Sequence, residues 1–171
     1  PSPLGELMFI EIPEGEHPIN YVWGKLVPGI GVAASKFAGA VYTDSTLELE
    51  TFEAARIRMA QINGCIFCLD WRTERDGIKV DAEFDSHVLN WQNEVETGTS
   101  PLPLRAQLAA EYSERWALNH HEIDEALWTR LRAQFSDQEL VELTMCLGSW
   151  LSFGRLNHVF GLDSACMLPA Q

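Results

Sequence analysis

The chain has 171 residues, of which 46% are hydrophobic, six are tryptophans, and the formal net charge is −13. A chain of this length buries roughly 70% of its unfolded surface, so a packed domain is expected without disulfide staples, and the composition excludes a disordered chain. The negative charge disfavours nucleic acid and anionic membranes as partners, because each phosphate would be repelled, and no apolar run in the sequence reaches the roughly 20 residues of a membrane span.

Residues 1–28 are rich in Pro, Gly and Glu and read as an extended N-terminal arm, leaving 29–171 as one helical domain. Pro1-Ser2-Pro3 has no basic stretch ahead of an apolar one, so no signal peptide is expected and the chain reads as cytoplasmic. From Gly29 to Tyr42, the apolar residues Ile30, Ala33, Ala34, Phe37, Ala38 and Val41 recur at helical spacing. Ser45 followed by Glu48 suits a capping box opening a second helix through Leu49, Phe52, Ile57 and Ala60. That helix stops at Asn63-Gly64. A third helix is expected from Cys65 to about Asp76, broken at Gly77, and Asp81 then caps a fourth through Phe84, Val88, Leu89 and Trp91. Thr97 to Pro101 is a loop by composition. Leu102 to Leu118 and Asp124 to Phe135 form the fifth and sixth helices. Ser136 with Glu139 makes a capping box for a long apolar helix to about Phe160. Hardly any window alternates with period two. The expected fold is all-α, a compact bundle of about seven helices.

Chemistry concentrates in Asn63-Gly64-Cys65-Ile66-Phe67-Cys68, with Glu53 twelve residues before Cys65. One helical turn places the two cysteine Cα atoms about 5 Å apart, within disulfide range. If Cys65 opens a helix, free backbone N–H groups and the helix dipole favour its thiolate. Arg72 falls one turn after Cys68, and at about 5 Å its charge would favour a thiolate by about 3 kcal/mol at an effective dielectric near 20. Folding of the two helices about Asn63-Gly64 would bring the Glu53 carboxylate to the cysteines as a proton acceptor. The plainer alternative is a Glu53 that is exposed or paired with Arg56 or Arg58. The cysteine pair itself could equally be a buried, inert couple.

A zinc site would need a second close ligand pair. Cys146 and Cys166 are far apart in sequence, and the adjacent His120 and His121 diverge on a helix, so no metal is expected. Cys146 reads as core and Cys166 as an exposed tail residue. His158 could reach the site from the last helix and supply an imidazole; otherwise it is a hydrogen-bonded helix-end histidine. Gly148 and Gly154 could permit close helix approach at a subunit contact.

The run Glu53-Ala54-Ala55-Arg56-Ile57-Arg58-Met59-Ala60-Gln61-Ile62-Asn63-Gly64-Cys65-Ile66-Phe67-Cys68 resembles the core of the AhpD-like, or carboxymuconolactone decarboxylase, family. The segment from Phe135 through Arg155-Leu156-Asn157 is similar to that family's closing helix. The resemblance implies an AhpD-like helical fold assembled as dimers, trimers or hexamers. It implies peroxide reduction without metal or organic cofactor, with a hydroperoxide as substrate and a dithiol as reductant. Carried over, Cys68 attacks the peroxide, Cys65 condenses with the resulting sulfenic acid, and Glu53 belongs to the proton relay. Two family histidines are replaced, by Phe67 and Arg72. Arginine cannot take a proton from a thiol, because its pKa exceeds about 12; Arg72 can only stabilise a thiolate already formed. Two other functions follow from that departure. One is a weakly catalytic redox sensor or interaction subunit. The other is a lyase on a small organic acid, with Arg72 holding the carboxylate.

Overall fold

The structure is a computed structural model that describes residues 9–162. Pro1-Ser2-Pro3 and Cys166 therefore lie outside the described residues. The fold is all-α. In chain order it comprises a π-helix (Asn20–Leu26), α1 (Pro28–Thr43), α2 (Leu49–Asn63), α3 (Ile66–Asp70), α4 (Phe84–Leu89), α5 (Trp91–Thr97) and α6 (Leu104–Asn119). A 3-10 turn (His120–Glu122), α7 (Glu125–Gln134) and α8 (Asp137–Val159) complete it. Among the described residues, one isolated bridge, Arg75 to Ile78, is the sole β pairing.

The hub is α2, which packs against α6, α8, α4 and α3. Thr51 through Ile57, Met59 and Ala60 are all buried, as expected of a helix enclosed on every side. Phe52, Ala55 and Met59 join Leu108, Tyr112, Leu131, Leu143 and Leu147 in the main core. Ala54 and Ile57 face a second cluster with Phe84, Val88, Trp91 and Ala106. Enclosure is costly for the two charged residues of this helix, Glu53 and Arg56, unless they meet partners.

Four local readings change. Ser45 and Glu48 make no capping box: Glu48 is the N-cap residue of α2 without a side-chain cap bond. Glu142 of α8 instead holds the turn that leads into α2. Its Oε1 accepts from Ser45 Oγ and Thr46 N, both at 2.7 Å, and from Leu47 N at 3.1 Å, and its Oε2 accepts from Thr46 Oγ1 at 2.9 Å. The helix expected from Cys65 to Asp76 is the five-residue α3. The fourth expected helix breaks at Asn90 into α4 and α5, and Phe84, Val88 and Trp91 join the second cluster. The arm is also not extended throughout. Its π-helix buries Val22 and Trp23, and Gly31 lies so close that an added Cβ would sit 1.7 Å from the Trp23 carbonyl oxygen.

The Ser136–Glu139 box agrees with the structure, whereas Asp81 lies two residues before the N-cap of α4, Glu83, which has no side-chain cap bond. Asp81 Oδ1 accepts from the N–H groups of Glu83 and Phe84. Asp124 caps α7 through Leu127 N, and Ser136 with Glu139 forms the reciprocal box that opens α8. No helix among the described residues is long and apolar enough to cross a membrane.

Candidate functional site

At the C-terminus of α2, Gly64 takes a left-handed conformation (φ 69°) and its N–H closes onto Ala60 and Gln61 carbonyls. That conformation carries little cost for glycine, and it turns the chain so that Cys65 becomes the N-cap residue of α3. Cys65 and Cys68 form a disulfide with Cα atoms 5.3 Å apart. The Cys68 N–H donates to Cys65 Sγ at 3.3 Å. Cys65 is 5% exposed, and Cys68 is partly exposed.

Both cysteines line a cavity of about 140 Å³ with Tyr42 of α1, Arg56, Met59 and Asn63 of α2, and Trp150, Phe153, Gly154 and Asn157 of α8. That is far more room than the about 10–15 Å³ one water requires. The Asn63 Nδ2 donates to the Trp150 carbonyl at 3.1 Å, while its buried Oδ1 has no hydrogen-bond partner. Gly154 makes room for this amide, since a Cβ there would lie 2.5 Å from Asn63 Nδ2. The close approach expected of Gly154 thus occurs within the chain.

The Glu53 oxygens are committed to partners other than the sulfurs. Glu53 is fully buried and its two oxygens are taken by Arg56: Nε donates to Oε1 at 2.6 Å and Nη2 to Oε2 at 2.9 Å. The Thr73 hydroxyl donates to Oε1 at 2.5 Å. The Arg-paired alternative is the one the structure adopts. Arg56 then spends its remaining donors on the loop, with Nη1 on the Cys68 carbonyl at 2.5 Å and Nη2 on the Trp71 carbonyl at 2.8 Å.

Arg72 is also displaced from its expected position. Because α3 ends at Asp70, the one-turn relation between Cys68 and Arg72 is lost. The Arg72 guanidinium donates to the Leu69 and Trp71 carbonyls and pairs with Asp85 at 2.5 Å. It does not line the cavity; the cation that does is Arg56. His158 is exposed in the last turn of α8 and does not line the cavity, whereas its neighbour Asn157 does.

The chain was compared with known proteins, and no family model matches it. It is similar to the uncharacterized protein YnjA of Escherichia coli strain K12, being 32% identical over 160 residues that cover 90% of this chain and 79% of that protein. The chain belongs to the YnjA family. It is also similar to the uncharacterized protein YdfG of Bacillus subtilis strain 168, at 27% identity over 122 residues, 71% of this chain and 80% of that protein. Both relatives are uncharacterized, so membership brings no activity with it.

In this YnjA-family chain the ionisable groups around the cavity differ in kind. Burial pushes the Tyr42 hydroxyl up to about 12, with the Arg56 charge pulling the other way. Burial likewise pushes Cys146 up to about 12, which fits its expected place in the core; it is a free thiol on α8. Among the described residues, no cluster of three His, Cys, Asp or Glu side chains could hold a metal ion.

The sequence reading missed Arg56 and Tyr42 as site residues. Arg56 carried a signal, because Glu and Arg three residues apart on a helix are neighbours. Tyr42 carried none, because α1 meets α8 through tertiary packing alone.

Proposed function

We propose that this YnjA-family chain is a thiol–disulfide oxidoreductase that reduces hydroperoxides, with Cys65 and Cys68 cycling between dithiol and disulfide. The observation that carries the reading is a closed Cys65–Cys68 disulfide forming one wall of a cavity roomy enough for a small substrate. The AhpD-like resemblance supports it independently of the geometry.

Cys68, the more exposed sulfur, attacks the terminal peroxide oxygen. An S–O bond forms, the O–O bond breaks, and the alkoxide or hydroxide leaves as an alcohol or water once protonated. Cys65 displaces the oxygen from the Cys68 sulfenic acid, closing the disulfide and releasing water. An external dithiol returns both thiols by exchange. Such a cycle suits a reducing compartment such as the cytoplasm. Exposed apolar side chains on α1 and α8, among them Ile30 at 75%, Val141 at 57% and Met145 at 59%, suit assembly as a homo-oligomer. With Phe67 and Arg72 at the two histidine positions, a slow cycle would instead suit a redox sensor, and the rate constant separates the two readings.

The test is a thiol count after reduction and addition of hydrogen peroxide. Two thiols should be lost per peroxide consumed. Cys68→Ser should abolish consumption, and Cys65→Ser should stop at a sulfenic acid trapped by dimedone. Cys65 and Cys68 thiols that persist in excess peroxide would rule the reading out.

A further inference from the structure

We propose that Tyr42 is a catalytic proton shuttle at this site, giving a proton to the oxygen that leaves the hydroperoxide and then taking one from the Cys65 thiol. This rests on the hydroperoxide reading above and supplies the acid and base that the replaced histidines would have provided.

Tyr42 lines the same cavity as the two sulfurs. Its ring is fixed edge-on against Trp71 (5.2 Å, 90°) and Phe52 (5.7 Å, 71°), with Trp150 tilted against it at 6.3 Å. Trp71 is held in turn, its ring under the Arg56 guanidinium at 5.1 Å and its carbonyl bonded to Arg56 Nη2 at 2.8 Å. The Trp150 side chain sits beside the Tyr42 hydroxyl without alignment of its Nε1 for a hydrogen bond. Of the other polar lining residues, Arg56 does not give up its proton, and the amides of Asn63 and Asn157, the Ser149 hydroxyl and the Trp150 indole do not titrate in the ordinary pH range.

The proton inventory closes. Cys68 thiolate, a hydroperoxide and the Tyr42 phenol give Cys68 sulfenic acid, an alcohol or water, and the Tyr42 phenolate. The phenolate takes the Cys65 proton. The Cys65 thiolate then attacks the Cys68 sulfur, forming the S–S bond and expelling hydroxide. One negative charge enters as thiolate and one leaves as hydroxide. The first transfer runs downhill, because the phenol at about 12 lies below water, whose pKa is about 15.7; in the second, a phenolate is by ordinary values the stronger base toward a thiol, about 10 against about 8.5. The charges that act on the phenol are Arg56 and Glu53 from α2 and Cys146 from α8.

The experiment uses the reduced full chain in single turnover, with hydrogen peroxide and with peroxyacetic acid. The second oxidant expels a carboxylate, whose conjugate acid has a pKa of about 4, and so needs no proton donor. Tyr42→Phe should slow oxidation of Cys68 by hydrogen peroxide, read as peroxide consumed in the Cys65→Ser background, by about 100-fold, the lower end for general acid catalysis. It should leave the peroxyacetic acid rate within about twofold, in keeping with that mechanism. Equal slowing on both oxidants would show a structural role and overturn the proposal, as would an unchanged hydrogen peroxide rate. Incorporating 3,5-difluorotyrosine at this position keeps the ring in place and lowers its phenol pKa. The basic limb of the hydrogen peroxide pH profile should move to lower pH; an unmoved limb would also overturn the proposal. A wild-type protein that loses no thiols to hydrogen peroxide sinks the hydroperoxide reading itself, a result distinct from failure of Tyr42 alone.

Discussion

Arg56→Met tests whether the site stands on the buried ion pair of α2. Arg56 is 2% exposed and Glu53 is 0% exposed. The substitution strands the Glu53 carboxylate with the Thr73 hydroxyl as its remaining partner, and it removes the donors to the Cys68 and Trp71 carbonyls. Breaking one side of a buried pair costs about 3–5 kcal/mol. The two carbonyls also lose bonds to a charged donor, each contributing about 1.5–3 kcal/mol where nothing replaces it, so that figure is a lower bound. A domain of this size shifts by about 2–4 °C per kcal/mol, so the melting temperature should fall by on the order of 10 °C. The assay is thermal and urea unfolding of the oxidised protein as a double-mutant cycle with Glu53→Gln. The double variant should be less destabilised than the sum of the two singles by about 2 kcal/mol, because it leaves no buried charge behind. A single variant within about 1 kcal/mol of wild type, or strict additivity in the cycle, would refute the reasoning.

Gly154→Ala should cost about 1–3 kcal/mol by overpacking, because its Cβ would lie 2.5 Å from Asn63 Nδ2; adding Asn63→Ala should restore part of the lost urea midpoint. Burial works against the Glu142 carboxylate, yet the hydrogen bonds from Ser45, Thr46 and Leu47 hold it below its ordinary range. Its contribution is therefore present above the unfolded value near pH 4.3 and is lost as pH falls through the lower folded value. Glu142→Gln should cost about 1–2 kcal/mol at pH 7, and the gap from wild type in urea midpoint should shrink on acidification. Cys146, 1% exposed and pushed up to about 12 by burial, should stay unlabelled by iodoacetamide at pH 8 in the folded, reduced protein, while Cys65 and Cys68 react, as read by peptide mass mapping.

Much of the fold was legible because its signals are local. The Ser136–Glu139 box and the Gly64 stop each depend on residues within four positions of one another, and each stands in the structure. The length of α3 was not legible. In a continuing helix the Cys68 carbonyl would accept from the N–H of residue 72, and the Trp71 carbonyl from that of residue 75. Arg56 takes both carbonyls, so the helix ends at Asp70. That intervention comes from a buried side chain twelve residues before Cys68, and helical periodicity cannot report it. The Ser45–Glu48 box failed for a similar reason, since the Ser45 hydroxyl is taken by Glu142, 97 positions away. The cysteine pair was visible from its spacing, whereas Tyr42, Trp150, Phe153 and Asn157 join it through the packing of α1 and α8 on α2.

The same exchange of partners bears on how a dithiol cycle could run here. Reduction breaks the S–S bond but leaves the two Arg56 hydrogen bonds to the loop. Bonds to a charged donor contribute about 1.5–3 kcal/mol each, against a backbone ordering cost of about 1–2 kcal/mol per residue. Two such anchors, one on Cys68 and one on Trp71, are comparable with the cost of keeping the short 65–68 segment ordered. In the proposed cycle the dithiol would thus stay near the geometry of the disulfide, and sulfenic acid and resolving thiol would meet without a search. Arg56 can do this because Glu53 balances its charge in the interior. On this argument Glu53 serves the cysteines by positioning Arg56, at one remove from the proton transfer expected of it.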